Sequence, residues 1–208
     1  MAWFFSAVTA VGLAATLFGE HRDLPLRLVA KPIASAGFLG LALTLGATGS
    51  PYGWWILIGL VFGFIGDVAL LGTARSWFLT GLVAFLIGHL AYVVAFLVTG
   101  VAVGPMVAAA TAAAAAAIVI VRWLRPHLPP EMRVPVVAYI VIISSMVATA
   151  VGAAAAGGTV LILIGAVAFY LSDLAVARNR FVAPGVANRL WGLPLYYLAQ
   201  LMLAWSVA

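Results

Sequence analysis

The sequence predicts an all-α, polytopic membrane protein: a bundle of eight transmembrane helices with both termini on the non-cytoplasmic side. Three observations carry this expectation. The 208 residues are 66% hydrophobic and only 7% charged, where a soluble domain carries about 25% charged residues. Apolar runs near the ~20 residues a helix needs to cross a bilayer recur eight times along the chain. All ten Lys and Arg fall at alternate breaks between those runs.

The first run, 1–18, opens with Trp3, Phe4 and Phe5 and lacks a basic leading region. It therefore reads as a span and not as a cleaved leader. The second, 32–48, ends at Gly-Ser-Pro (49–51), a turn signal that opens the third, 54–71. The fourth covers 77–98. The fifth, 102–121, holds Gly104-Pro105 near its start and an alanine run at 112–117. Alanine is the strongest helix former, so that run reads as a close-packing helix and not as a linker. Pro129-Pro130 precedes the sixth, 135–156; the seventh covers 158–177; Ala-Pro-Gly (183–185) precedes the eighth, 190–207. The second and fifth runs are the weakest of the eight. With breaks this short, residues 1–208 are expected to form one domain.

The charges give the orientation. Arg22, Arg27 and Lys31 fall at the first break, Arg75 at the third, Arg122, Arg125 and Arg133 at the fifth, and Arg178, Arg180 and Arg189 at the seventh. The even breaks and both ends hold none. By the positive-inside rule the odd loops face the cytoplasm. The net charge of +5 does not indicate nucleic acid, because the basic residues are spread over short loops and form no patch. The chain has no cysteine, which excludes disulfides, a thiolate nucleophile and Cys-based metal sites.

Three ionisable residues remain inside the runs: Asp67, His89 and Asp173. An Asp at a helix centre costs about 2.5–3.5 kcal/mol on insertion scales, so such residues default to function. On the orientation above, Asp67 and Asp173 lie at similar depth in the cytoplasmic half, and His89 lies deeper. "FIGDVALLGTAR" and "YLSDLAVARNR" resemble each other four spans apart, which suggests a parallel four-plus-four repeat. Gly59, Gly63 and Gly66 beside Asp67 allow close helix approach. His89 and Tyr92 share a face of the fourth span, and Tyr196 or Tyr197 shares one with Gln200 on the eighth. Lys31 opens the second span at the same level. These groups are expected to converge on one pocket open toward the cytoplasmic leaflet. Duller readings stand beside this. The aspartates could be structural hydrogen-bond hubs, His89 a bridge between helices, Tyr196 and Tyr197 interface-belt aromatics, and Lys31 only a topology charge.

The segments "KPIASA" (31–36), "GDVALL" (66–71), "WFLTGLVAFLIGHLAYVVAF" (77–96), "YLSDLAVARNRF" (170–181) and "LPLYYLAQLMLAW" (193–205) resemble, in order, motifs of the YhhN-like lysoplasmalogenase family. Residues 1–30 and 101–134 match poorly. The resemblance implies an eight-helix membrane hydrolase that cleaves the vinyl-ether bond of lysoplasmalogens, 1-alkenyl lysophospholipids with ethanolamine or choline headgroups, to a fatty aldehyde and a glycerophospho-alcohol. It implies Asp67 and Asp173 as catalytic residues.

The chemistry suits them. A vinyl ether is cleaved by protonating its β-carbon; water then traps the oxocarbenium ion. Two carboxyls can supply the acid and the stabilising or water-steering group, as in glycoside hydrolysis. The two are expected within about 8 Å of each other, with the partner carboxyl explaining why Asp67 is tolerated. His89 is placed with them in a supporting role. Lys31 and Arg189 are expected to hold the lipid phosphate, and Tyr92, Tyr196 and Gln200 to position substrate or water. No cofactor or metal is expected, since one membrane His is too few for a three-ligand zinc site. The expected partners are the lysophospholipid and membrane lipids, in a multi-pass location in a bacterial cell membrane. The alternative is a small-solute or proton-coupled transporter using the same aspartates. It is disfavoured because no Gly-Pro interruption adjoins either Asp. An intramembrane aspartyl protease would share the GD motif, but its other hallmark motifs are missing.

Overall fold

The computed structural model describes residues 1–22 and 24–208. Among the described residues there are eight long helices and no strand: α1 (Ala2–Arg22), α2 (Arg27–Thr44), α3 (Pro51–Ala69), α4 (Arg75–Val98), α5 (Val103–Leu124), α6 (Arg133–Ala155), α7 (Val160–Ala177) and α8 (Val186–Trp205). Each expected run holds one of them. A π-helical turn, Arg178–Val182, extends α7. Seven of the eight are long and apolar enough to cross a membrane. The eighth, α8, is diluted by polar residues that it turns inward: Asn188, Tyr196, Tyr197 and Gln200 are all buried. The protein is a polytopic helical membrane bundle.

Two helices begin earlier than the apolar runs. α2 starts at Arg27 and passes through Pro32; α8 starts at Val186 and passes through Pro194. Membrane helices tolerate such prolines because neighbouring groups satisfy the freed carbonyls. Their first turns carry Arg27, Lys31, Asn188 and Arg189, which is why they look like loop in the sequence.

Consecutive helices pair as hairpins: α1–α2, α3–α4, α5–α6 and α7–α8. Contacts α2–α3, α4–α6, α6–α7 and α8–α2 then close a six-helix ring in the order α2, α3, α4, α6, α7, α8. α1 lies outside, against α2 and α8, and α5 lies outside, against α6. The ring contacts map onto themselves when each helix is exchanged for the one four later. That is the relation suggested by the two Asp segments. The contacts of α8 with α1 and α3 break the symmetry. In this ring α3 and α7 stand opposite each other across the centre.

Packing follows membrane rules, with small residues between helices and large apolar ones toward lipid. α1 buries only Thr9, Gly12, Thr16 and Gly19, one stripe against α2, and Thr9 Oγ1 donates to the Ala34 carbonyl at 3.1 Å. Val11, Phe18, Leu43 and Val83 face outward. α5 buries only Leu124. On α3, a Cβ at Gly59 would collide with the Tyr92 ring, and one at Gly63 with the Gln200 amide. Tyr92 is buried and hydrogen-bonded, so it cannot step aside cheaply. Gly59→Ala is expected to lower stability by about 1–3 kcal/mol, the usual cost of overpacking. Thermal unfolding in detergent checks this; a variant as stable as the parent would contradict the close α3–α4 fit.

Candidate active site

A cavity of about 350 Å³ lies at the end of the bundle that carries the odd-numbered connections, lined by the ring helices together with α1 and α5. All ten Lys and Arg lie at that same end. One flank is charged and polar, with Glu20, Arg27, Lys31, Asn188 and Arg189 from α1, α2 and α8. The opposite flank is apolar, with Phe78, Leu82, Leu124, Val136 and Ile140 from α4, α5 and α6. Asp67 and Asp173 both line the cavity between these flanks.

Asp67 is 2% exposed and fully engaged. Lys31 and Ser35 lie one helical turn apart on α2 and so point the same way. Lys31 Nζ stands 3.0 Å from Asp67 Oδ1, and also donates to the Asp67 carbonyl at 3.3 Å. Ser35 Oγ donates to Oδ2 at 2.6 Å, and the Tyr196 hydroxyl donates to the same oxygen at 2.6 Å. Behind Tyr196 runs a directed chain. The Tyr92 hydroxyl donates to Gln200 Oε1 at 2.7 Å, and Gln200 Nε2 donates to the Tyr196 oxygen at 3.0 Å. Tyr197 completes the shell by donating to the Lys31 carbonyl at 3.2 Å.

Asp173 sits in a different environment. The Tyr139 hydroxyl on α6 donates to its Oδ2 at 2.7 Å, and His89 Nε2 lies 3.6 Å from the same oxygen. His89 is 1% exposed and does not line the cavity; its ring packs edge-on against Phe169 and Tyr139. Among the described residues no Lys or Arg forms an ion pair with Asp173, whose side chain is 17% exposed.

Several expectations change form here. Asp67 owes its place in an apolar run to Lys31, not to a second carboxyl. The hydrogen bonds of each aspartate go to other groups, and although both face one cavity, the opposite placement of α3 and α7 counts against the expected close pair of carboxyls. Lys31 is not at the rim, free for a phosphate; it is 8% exposed and committed to Asp67. Tyr196 and Tyr197 are 4% and 1% exposed, which excludes the belt reading for both. Tyr92 and Gln200 do not line the cavity and reach it only through Tyr196. Arg189 does line the cavity, with its Nε 2.9 Å from Glu20 Oε2. Sequence reasoning assigned no role to Ser35, Tyr139 or Glu20. Ser35 lies one turn from Lys31 within a quoted motif, a usable signal. A lone Tyr on α6 gave none.

Comparison with known proteins follows the same lines. The profile of the YhhN family matches residues 26–207. This chain belongs to the YhhN family. Relatives within reach include a lysoplasmalogenase of Mycobacterium tuberculosis (strain CDC 1551 / Oshkosh), 31% identical over 148 residues, 69% of this chain and 55% of the relative. Lysoplasmalogenase TMEM86A of Bos taurus is 30% identical over 164 residues, 73% of this chain and 64% of the relative. Lysoplasmalogenase TMEM86A of Homo sapiens is 30% identical over 159 residues, with the same coverage of 73% and 64%. The aligned region thus spans a little over half to just under two thirds of these relatives. No solved structure matches the chain significantly. The YhhN match begins after α1 and covers both aspartates, Lys31, Ser35, His89, Tyr139 and the polar residues of α8.

Proposed function

We propose that this YhhN-family protein hydrolyses the vinyl-ether bond of a lysoplasmalogen to a fatty aldehyde and a glycerophospho-alcohol. The observation that carries the reading is the pair of aspartates with unlike partners, facing one cavity between a charged flank and an apolar flank. A lysolipid's cleavable bond lies between its apolar chain and its polar glycerophosphate, where the aspartates sit. The names of the relatives support the same reaction.

The roles follow from the partners. Asp67, beside a cation and two hydroxyl donors, is the carboxylate of an ion pair. Asp173, with a phenol and an imidazole but no cation, is the group that carries the transferable proton. Asp173 protonates the vinyl carbon remote from oxygen, and the adjacent carbon becomes an oxocarbenium centre. Water adds to that centre and gives its proton to Asp67. The hemiacetal then collapses: Asp67 returns the proton to the departing glycerol oxygen, and the hemiacetal hydroxyl proton restores Asp173. Both residues end as they began. The hydroxyls of Ser35 and Tyr196 fix Asp67, and Tyr92 and Gln200 fix Tyr196. Tyr139 fixes Asp173, with His89 packed behind. Positioned acid–base groups of this kind are worth about 10²–10⁴-fold.

The cavity opens, on this reading, toward the cytoplasmic leaflet, because the odd-numbered connections carry all the basic residues. A reporter fused to the C-terminus that is active only in the cytoplasm is expected to stay silent; a strong signal would reverse the orientation. The function is tested by incubating purified protein with a lysoplasmalogen and, separately, with the corresponding ester lysolipid. Free aldehyde from the first and no hydrolysis of the second is the expected result. No aldehyde would refute the reading.

A further inference from the structure

Glu20 is an acidic residue at the charged flank whose side chain is only 9% exposed, and the proposed reaction does not use it. It lies on α1, ahead of the region that defines the family match. Arg27 Nη1 from α2 stands 3.4 Å from both of its oxygens, and Arg189 Nε from α8 stands 2.9 Å from Oε2. Three helices thus bring one carboxylate and two guanidinium groups to the wall of the cavity that holds the aspartates.

A structural clasp needs one arginine, and among the described residues the second leaves the cluster with one positive charge in excess. The neighbouring Lys31–Asp67 pair is neutral and does not offset it. Each guanidinium has five N–H donors in a fixed fork; Arg27 Nη1 donates to Glu20, while Arg189 Nε stands beside it as an ion pair without a hydrogen bond among the described residues. The remaining donors suit the planar, bidentate recognition of a phosphate. A phosphodiester there brings the cluster to neutrality, but it also competes with Glu20 for the arginines. Leaving a buried carboxylate without its partner is costly. A ligand that carries an ammonium two carbons from its phosphate removes that cost, because the ammonium takes up the carboxylate as the phosphate takes up the arginines. Neither anion is then left without a cation, since the two arginines share the phosphate and the ammonium faces Glu20, although a zwitterionic headgroup leaves the one excess positive charge of the cluster unchanged.

We infer that Glu20, Arg27 and Arg189 form the headgroup site of the cavity, with the arginines holding the phosphate and Glu20 reading the ammonium of the headgroup. This rests on the cavity being the lysolipid site proposed above. Glu20 is then the residue that sets headgroup preference. Lys31, to which the phosphate could otherwise be assigned, is excluded by its commitment to Asp67.

The test measures equilibrium binding of radiolabelled 1-alkyl lysolipids, saturated ethers that lack the cleavable double bond, to the full-length protein in detergent. Ethanolamine and glycerol headgroups are compared. The intact protein is expected to bind the ethanolamine form about tenfold tighter, the ratio of a partly buried ion pair worth somewhat more than a surface one. In Glu20→Gln the ratio is expected to fall to about one, and in Glu20→Asp to recover in part. Arg189→Gln is expected to weaken both ligands together, because both present the phosphate. An intact protein with no headgroup preference overturns the proposal, whether or not the variants fold. So does a folded Glu20→Gln protein that keeps its preference. Aldehyde release in the same preparation is read separately. Preference without aldehyde removes the proposed reaction and supports the headgroup site; aldehyde without preference removes the headgroup site and leaves the reaction standing.

Discussion

Asp173→Asn is expected to lower aldehyde release by at least about 10²–10⁴-fold while leaving the bundle as stable as before or slightly more so. Asn keeps the side-chain shape and can still accept the Tyr139 hydrogen bond, but it has no proton to give to carbon. Asp173 has no ion-pair partner among the Lys and Arg of the described residues, so its neutralisation strands no charge. Activity in a detergent-solubilised variant, read beside its melting temperature, checks both halves. Near-normal turnover in Asp173→Asn would remove it from the chemistry. His89→Gln is expected to cost less, because His89 touches Asp173 from behind and does not reach the cavity. If His89→Gln alone were inactive, the proton donor would have to be sought on the imidazole.

Lys31→Met is expected to destabilise the protein by about 3–5 kcal/mol and to abolish activity. The lysine is 8% exposed and Asp67 2% exposed, so removing one partner leaves a buried charge unpaired. Asp67→Asn is expected to be both inactive and less stable for the reciprocal reason, unlike Asp173→Asn. Replacing both, Lys31→Met with Asp67→Leu, should restore much of the stability and none of the activity, since exchange of a buried pair for apolar groups is often neutral or favourable. Unfolding midpoints for Lys31→Met, Asp67→Leu and the variant that carries both form a cycle that isolates the pair. Additive effects would show that Lys31 and Asp67 do not act as a unit.

The sequence already displays the bundle because a membrane demands long apolar runs, and the alternate breaks carry the charge. Asp67 and Asp173 are equally legible, since a carboxylate inside such a run has few explanations. What the sequence hides is partnership. Lys31 stands beside a loop and reads as a topology charge until α2 is seen to start at Arg27 and turn Lys31 and Ser35 toward α3. The start of α8 is obscured in the same way, because Asn188 and Arg189 precede the apolar run and look like loop. Tyr196 and Tyr197 admit an interface-belt reading for lack of any sign that α8 faces three other ring helices. Tyr139 finds Asp173 only because α6 and α7 are neighbours in the ring. Polar residues on different helices acquire meaning from helix order around the ring, and one sequence does not print that order.

The most direct test of the mechanism is cleavage of a lysoplasmalogen by the purified protein in ¹⁸O-labelled water, with the glycerophospho-alcohol analysed by mass. Protonation of carbon followed by water attack at the adjacent oxocarbenium centre leaves the glycerol oxygen in place. The account therefore predicts free aldehyde together with an unlabelled glycerophospho-alcohol. A labelled glycerol product would show that the bond on the other side of the ether oxygen is broken, and would contradict aspartate protonation of the vinyl carbon as the reaction this cavity performs.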